Sequence, residues 1–215
     1  VDEIPSEIVY LGEVPLSCQD ILNNRFDDGD GLYIIDPDGP GEEIQPFEVY
    51  CDFDGGDGWT RIDYGADLPF QQHFSGGDDW RWLPNDFSFK LSKEQILAIQ
   101  SVSIKGKQTY VGECTGVLHW YYSIVGGSYN YAFGFKFING DNTPYGTNFW
   151  SGINFGVTID ECKVNGGQNL KTIWEIKDVR VPIINVQSRD SGDSGEKFGS
   201  PLKSCHPAAR SDDGR

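Results

Sequence analysis

Hydrophobic and polar positions alternate along much of this chain, in short stretches separated by turns rich in glycine and aspartate. The alternation is clearest at residues 129–137, YNYAFGFKF, where a tyrosine or a phenylalanine fills every second position. A period of two places these rings on one side of a β-strand, and such rings belong more often to a sheet core than to a binding platform. The run GVLHWYYSIV before it ends at Gly126-Gly127-Ser128, which predicts a hairpin.

One segment has the features of a helix, LSKEQILAIQ at residues 91–100. Ser92 suits the N-cap position, and Gln95 follows it at the spacing of a capping box. Elsewhere the pattern is that of short strands between turns. The predicted fold class is therefore α+β and mostly antiparallel β, with few helices and long loops.

The pattern divides the chain into three parts. Residues 1–16 contain several apolar residues and are interrupted by Pro5 and Pro15, which predicts an extended arm rather than a helix. From Gln187 onward serine, glycine and charged residues dominate, a composition that buries too little apolar surface to offset the entropy of ordering. We predict an arm at 1–16, one domain at 17–184 and a polar tail at 185–215.

The charge of the chain narrows the choice of partners. With 33 acidic and 17 basic residues the formal net charge is -16. A chain with this charge does not attract the phosphates of nucleic acid and is repelled by anionic membranes. It also lacks the run of about 18 apolar residues that a spanning helix needs, so no membrane insertion is expected. An acidic surface does attract hard cations such as calcium.

The cysteines indicate an oxidising compartment. There are five of them, at positions 18, 51, 114, 162 and 205, and none forms a Cys-x-x-Cys pair. With only three histidines, disulfides are a better interpretation than a zinc site. The chain has no methionine, even at its first position, which favours removal of a signal peptide. We therefore expect a secreted, extracellular protein.

Four short strings carry a resemblance to a known family. They are SCQDIL (17–22), GLYIIDPDG (31–39), FEVYCDF (47–53) and GDGWT (56–60). In this order they resemble the start of fibrinogen C-terminal-like domains, including the bacterial type with Tyr-Cys-Asp and Gly-Gly-Trp-Thr signatures. LKTIWEIKDVRV, at 170–181, is similar to the closing strand of that family. The resemblance implies a fibrinogen C-terminal-like fold.

The resemblance also implies a disulfide between Cys18 and Cys51. The glycines after Cys51 permit the positive φ values of a tight turn, and we expect Trp59 to return the chain to the core after that turn. We expect a second disulfide between Cys114 and Cys162, which leaves Cys205 over.

Two regions are candidates for calcium. Residues 20–57 hold twelve acidic residues against Arg25 alone, a density that suits either calcium or metal-free aspartate turns. Fibrinogen-like domains usually carry calcium in a later loop, which matches residues 138–156 here. That resemblance implies Asp141 and Asn142 as metal ligands, with Asn148 near the ion, although the family often has a second acidic residue there.

The same loop offers a recognition surface. The resemblance places ligand contacts at Tyr145, Asn148, Trp150 and Asn154, and amides beside aromatic rings suit a sugar. An ordered loop whose asparagines satisfy their own turns is an alternative of nearly equal weight.

The leading interpretation is therefore a non-catalytic extracellular recognition module with calcium-assisted binding of glycans or acetylated ligands, as in a lectin or adhesin. The alternative is a structural subunit of an extracellular filament or surface layer that assembles through its N-terminal arm. An enzyme is not expected. GDSG at 192–195 lacks the protease context around Ser194, and His73, His119 and His206 have no catalytic or ligand spacing.

Overall fold

The computed structural model describes residues 13–65, 71–73, 81–114, 123–125, 128–130, 133–143, 154–160, 170–188, 197–199 and 206–209. These residues contain helix α1 (Cys18–Asn23), helix α2 (Lys93–Ser101) and a short 3-10 helix (Asp54–Gly56). The strands are β1 (Gly31–Ile35), β2 (Phe47–Asp52), β3 (Trp59–Arg61), β4 (Gln71–His73), β5 (Arg81–Trp82), β6 (Ser103–Cys114), β7 (Ser123–Val125), β8 (Ser128–Asn130), β9 (Phe133–Phe137), β10 (Asn142–Thr143), β11 (Asn154–Asp160), β12 (Leu170–Lys177), β13 (Ile183–Ser188), β14 (Lys197–Gly199) and β15 (His206–Ala209).

The described strands form two larger sheets and a hairpin. A nine-stranded sheet has the order β1-β2-β3-β15-β6-β12-β11, and β14 pairs with both β6 and β4 beside this path. A four-stranded sheet has the order β10-β9-β13-β5, and β7 pairs with β8. The pairings are antiparallel, as in the β1–β2 register of Tyr33 with Val49. The mostly antiparallel α+β class predicted from the sequence is confirmed.

The nine-stranded sheet has an inner face that packs into the core and an outer face that meets solvent. Along β2 the side chains of Phe47, Val49 and Cys51 are buried, while the intervening residues are more exposed. This is the period-two pattern of a sheet covered on one side. Helices α1 and α2 supply Ile21 and Ile99 to the same hydrophobic cluster.

Helix α2 begins where its sequence predicts. The Ser92 hydroxyl accepts from the Gln95 backbone N–H at 3.2 Å, and Gln95 Oε1 accepts from the Ser92 N–H at 2.9 Å. This reciprocal capping box satisfies two donors that a helix start otherwise leaves free. Ile96 and Ile99 are buried, so the opposite, polar side of the helix faces solvent.

The four-stranded sheet contains the second half of the aromatic strand predicted at 129–137, as β9, whereas Tyr129 belongs to β8, which pairs with β7 in a separate hairpin. Phe135 and Phe137 of β9 are buried almost completely, at 1% and 0% exposure. They therefore belong to the core, as expected for large rings at period two. The predicted hairpin is also present, because β7 and β8 pair with Val125 opposite Ser128.

The segment predicted as a polar tail contributes strands to both sheets. β13 continues past residue 184, and Val186 within it is fully buried. β14 and β15 lie later in the segment and both pair with β6. Average composition misled the prediction, since a strand of three or four residues gains from backbone pairing without a run of apolar side chains. The domain therefore extends at least to residue 209.

The base of the predicted N-terminal arm is attached to the sheet. The Pro15 carbonyl accepts a hydrogen bond of 2.8 Å from the backbone N–H of Asp36, directly after β1. Residues 1–12 lie outside the described part of the chain, so the extended arm remains a prediction.

Candidate functional site

The predicted disulfide between Cys18 and Cys51 is present. It joins the first turn of α1 to β2, with the two Cα atoms 5.5 Å apart and both side chains fully buried. Ser17 caps α1, since its hydroxyl accepts from the Asp20 N–H at 3.1 Å. The bridge therefore fixes a short helix against the inner face of the nine-stranded sheet.

The glycine turn before β3 packs directly on this helix. A Cβ atom at Gly58 would lie 2.4 Å from the backbone of Cys18, so only glycine fits without displacement. The Gly58 N–H also donates to Gln19 Oε1 at 2.8 Å. The close approach explains why a glycine precedes the tryptophan.

Trp59 does not enter the core, contrary to the sequence expectation. It lies on the outer face, opposite Asp52 of β2 and Ala208 of β15, and its side chain is partly exposed. Its neighbour Thr60 points inward and is fully buried. The alternation of β3 therefore assigns the inner position to the threonine and the outer one to the tryptophan.

Two aspartates follow β1, of which Asp36 is buried and Asp38 is partly buried. Asp36 is only 3% exposed, and Oδ1 of Asp36 and Oδ1 of Asp38 are both buried with no hydrogen-bond partner. Asp38 Oδ2 accepts from the Ile44 backbone N–H at 3.0 Å. Gly39 and Gly41 adopt positive φ values of 90° and 84°, which bend the chain around the pair.

The environment of the pair disfavours the ionised form of Asp36. Burial raises the pKa of Asp36 above its ordinary value, and the neighbouring Asp38 carboxyl raises it further. A neighbouring carboxylate disfavours the ionised form of a carboxyl group, and a bound cation would favour it. Hard oxygen ligands of this type suit calcium. Among the described residues no group of three or more His, Cys, Asp and Glu converges, so a full calcium shell here would also need carbonyl or water oxygens.

Asp141, a predicted metal ligand, already has a basic neighbour. Its Oδ2 accepts from Asn139 Nδ2 at 3.1 Å and lies 3.7 Å from a guanidinium nitrogen of Arg180. Arg180 is itself held by two 2.8 Å hydrogen bonds to the Asp178 carboxylate, which raises the pKa of Arg180. The Asp141 carboxylate is exposed, but Arg180 already balances part of its negative charge.

The other predicted site residues are only partly described. Asn142 is exposed in β10 of the four-stranded sheet, whereas Asn154 begins β11 of the nine-stranded sheet. Tyr145, Asn148 and Trp150 lie outside the described residues. Calcium and ligand binding at residues 138–156 therefore stay predictions.

The second predicted disulfide is described at one end only. Cys114 ends β6 and is paired with Leu170 of β12, while Cys162 and Cys205 lie outside the described residues.

The outer face carries a group of residues that sequence reasoning missed. The ammonium groups of Lys105 and Lys107 lie 5.2 and 4.2 Å from the centre of the Trp59 ring. The guanidinium of Arg61 lies 3.9 Å from the centre of the Tyr50 ring. The sequence feature that could have revealed this group is the pair Lys105 and Lys107 in SIKGKQTY. They are two positions apart, which places both on one side of a β-strand.

These features define a fibrinogen C-terminal-like domain, with its first disulfide and its antiparallel sheets in place. The sequence profile of the fibrillar collagen C-terminal domain matches residues 13–205, and the chain belongs to that family. Domains of this type are non-catalytic structural or binding modules. Among the described helices, none is long and apolar enough to cross a membrane.

A solved structure with a similar chain is the lamprey fibrin D-dimer in complex with the peptide ligand Gly-His-Arg-Pro-amide. The sequence identity is 23%, and the alignment covers 55% of this chain and 34% of the lamprey chain, with a TM-score of 0.28. The chain thus spans about a third of the length of that relative.

Proposed function

We propose that this domain is a non-catalytic extracellular module for recognition, in which calcium stabilises the N-terminal part of the sheet. The observation that carries the proposal is the Asp36–Asp38 pair with its two buried, unpartnered oxygens. A calcium ion at this pair would supply the countercharge that the described protein groups do not. Asp36 and Asp38 would be its carboxylate ligands.

Calcium titration tests this part of the proposal. At a free concentration of about 100 times Kd, an ion that binds only the folded state adds about 2.7 kcal/mol to the free energy of unfolding. For a chain of this size that corresponds to a rise in Tm of about 5 to 10 °C. The measurement is thermal unfolding with calcium and with a chelator.

Matched variants locate the ion. Asp36→Asn combined with Asp38→Asn should abolish the calcium-dependent rise in Tm, whereas Asp28→Asn, an exposed aspartate of the same segment, should leave it unchanged. If Asp141→Asn abolishes the calcium-dependent rise in Tm and the double variant retains it, the ion binds at residues 138–156 instead.

We further propose that residues 138–156 contact the ligand, a glycan or an acetylated group. Support comes from the amides of Asn148 and Asn154 beside Tyr145 and Trp150 in the sequence. The test is retention on resins that carry neutral or acetylated sugars, with elution by chelator. Trp150→Ala should abolish retention, and a Tm equal to that of the unmodified chain would show that the variant is folded. Equal retention of the variant would exclude this loop as the contact.

A second candidate function is assembly through the N-terminal arm. The supporting observation is that the Asp36 N–H holds the Pro15 carbonyl, so the base of the arm is attached beside the carboxylate pair. Apolar residues of the arm would then add a strand to the sheet edge of a neighbour. Calcium at the pair would strengthen the attachment.

Sedimentation separates the two functions. A recognition module should remain a monomer or a small oligomer, whereas an assembling subunit should form large particles. Deletion of residues 1–12 should dissolve those particles and leave Tm unchanged, since the hydrogen bond at Pro15 is retained. If the particles persist after the deletion, assembly does not depend on the N-terminal arm.

A further inference from the structure

The outer face of the nine-stranded sheet carries a row of basic side chains that we name the cationic stripe: Arg61, Lys105, Lys107 and Lys177. In an antiparallel sheet, residues that are directly opposite one another project from the same face. Lys107 of β6 is opposite Lys177 of β12, and Lys105 is opposite Ala208, which is itself opposite Trp59. Arg61 lies two residues from Trp59 on β3. The four cations thus share one face across neighbouring strands.

Aromatic rings hold three of these cations in place. Lys105 and Lys107 lie over Trp59, and Arg61 lies over Tyr50. A cation over a ring face is attracted by the ring quadrupole, by about 0.5 to 1 kcal/mol at exposed sites. Side chains that are already ordered lose less entropy when they bind a ligand. The stripe is therefore a set of pre-positioned positive charges.

The stripe contains an unfavourable arrangement that an anion would relieve. Lys107 and Lys177 are directly opposed, and like charges at such positions destabilise a sheet. Three of the four cations already have a carboxylate partner: Lys177 is paired with Glu175 at 2.8 Å, Lys105 with Asp57 at 2.6 Å and Arg61 with Asp63 at 3.1 Å. Among the described residues, none forms an ion pair with Lys107. An external anion beside Lys107 would supply the missing countercharge.

The surrounding charge limits the size of the ligand. The chain as a whole carries -16, and Glu48, Asp52 and Glu175 lie on the same face around the stripe. A long polyanion would extend onto this acidic surface and be repelled. From β3 to β12 the stripe crosses three strand spacings, which is roughly 14 Å. It therefore fits a short ligand with few negative groups.

Two features favour a saccharide over an acidic peptide. Tyr50 and Trp59 are partly exposed next to the cations, and a surface that combines aromatic rings with positive charge suits a sugar that carries acidic groups. The stripe also leads towards the predicted recognition loop, because Asn154 holds the register position opposite Lys177. The ligand's acidic groups would lie on the stripe, and its neutral part would lie towards that loop.

We propose that the cationic stripe binds a short acidic saccharide through carboxylate or sulfate groups. The proposal deepens the recognition role described above and rests on it for the class of ligand. It is independent of calcium, because the contacts are made by lysine and arginine.

Isothermal titration of the full chain with three tetrasaccharides tests the proposal. The probes are a tetramer of galacturonic acid, a sulfated tetrasaccharide cut from heparin, and neutral maltotetraose. The two acidic probes should bind at least about tenfold more tightly than the neutral one, since a hydrogen bond to a charged group contributes more than a neutral one. The preference should persist in a chelator and weaken with added salt.

Charge-removing variants assign the binding to the stripe. Lys107→Gln should weaken binding of the acidic probes about tenfold, and Lys107→Gln with Lys177→Gln about a hundredfold, if the two contacts are independent. Lys93→Gln is the matched control, because it removes the same charge at an exposed position of α2, the helix that packs on the inner face. Its affinity should equal that of the unmodified chain. Tm should change little in these variants, because the lysines are not buried and the loss of a ring contact or a surface ion pair is offset by the loss of the repulsion between Lys107 and Lys177.

Other outcomes would overturn the proposal. Equal affinity for acidic and neutral probes, or an equal loss in Lys93→Gln, would show that the stripe does not select the ligand. Competition by a short polyglutamate as strong as that of the sugars would make the surface a general anion or peptide site. Binding of neutral or acetylated sugars alone would reject the stripe while the recognition role stands, and binding of no sugar would reject both.

Discussion

At the scale of single residues, two ionisable side chains, Asp36 and Lys107, have no oppositely charged partner among the described residues. Asp36 is buried beside Asp38, and its raised pKa shows that the ionised form is unfavourable in the folded state. Lys107 has the Trp59 ring as its partner instead of a carboxylate among the described residues. A bound cation would stabilise the ionised form of Asp36, and a bound anion would balance the charge of Lys107.

The Asp36 carboxyl predicts a specific pH dependence in the absence of calcium. A raised pKa in the folded state means that the folded chain binds more protons than the unfolded chain above the ordinary value of 3.8. The contribution of this group to stability is thus full below that pH and is lost as pH rises through the folded-state pKa. Asp36→Asn should remove the loss and raise Tm at neutral pH in a chelator.

The same variant should have the opposite effect with calcium present, because it removes a ligand of the ion. Thermal unfolding of the two chains between pH 4 and 8, each with calcium and with chelator, measures both effects. Parallel Tm curves for the two chains in the chelator would mean that Asp36 titrates alike in the folded and unfolded states.

Gly58 gives a second prediction at this scale. An added Cβ would lie 2.4 Å from the backbone of Cys18, and the disulfide prevents α1 from moving away. Gly58→Ala should therefore lower the free energy of unfolding by about 1 to 3 kcal/mol, the usual range for overpacking. Gly31→Ala is the control, because its Cβ meets nothing nearer than 3.8 Å. Urea unfolding of the two variants decides the point, and equal stabilities would contradict the packing argument.

At the scale of elements, the disulfide joins a short helix to the sheet. α1 has only six residues, too few to be stable alone, so its position depends on the bridge and on the packing of Ile21. The glycine turn before β3 then packs on the fixed helix. The N-terminal region is thereby one unit made of α1, β1, β2 and β3.

Removal of the bridge should destabilise this unit. For a sequence separation of 33 residues, the loop-entropy estimate is about 3 to 4 kcal/mol. The double variant Cys18→Ala and Cys51→Ala should lose that amount in urea unfolding, and reduction of the unmodified chain should have a similar effect. A loss below about 1 kcal/mol would mean that the unfolded chain is already constrained in this region.

Several elements were predictable because their signals are local. The capping box of α2, the alternating aromatics of β9 and the opening motifs with their disulfide each depend on residues close together in the sequence or on a family pattern. The cationic stripe was not predictable in the same way, since it combines residues from β2, β3, β6 and β12 through sheet register. Trp59 was expected to return the chain to the core after the glycine turn, but the alternation of β3 places Thr60 on the inner face and Trp59 on the outer face. For the candidate calcium site, sequence narrowed the choice to an acidic segment, but burial singled out Asp36 and Asp38.

At the scale of the whole molecule, the nine-stranded sheet depends on chain segments far apart in sequence. β15 lies between β3 and β6 in the strand order, so the last described strand connects the N-terminal unit to the rest of the sheet. The register places Ala208 opposite both Trp59 and Lys105. The outer face that carries the cationic stripe is thus continuous only when β15 is in place.

Removal of residues 189–215 should therefore destabilise the nine-stranded sheet, although the composition of this segment predicts no effect. A chain that ends at residue 188 lacks β14 and β15, which leaves the backbone groups of β3 and of one side of β6 unpaired at exposed edges. We expect a lower Tm, aggregation and loss of affinity for the acidic tetrasaccharides. A chain that ends at residue 209 keeps every described strand and should match the full chain. Thermal unfolding and light scattering of the two truncations give the comparison. Identical behaviour of both would mean that β15 adds nothing to the sheet and that residues 189–215 are the tail their composition suggests.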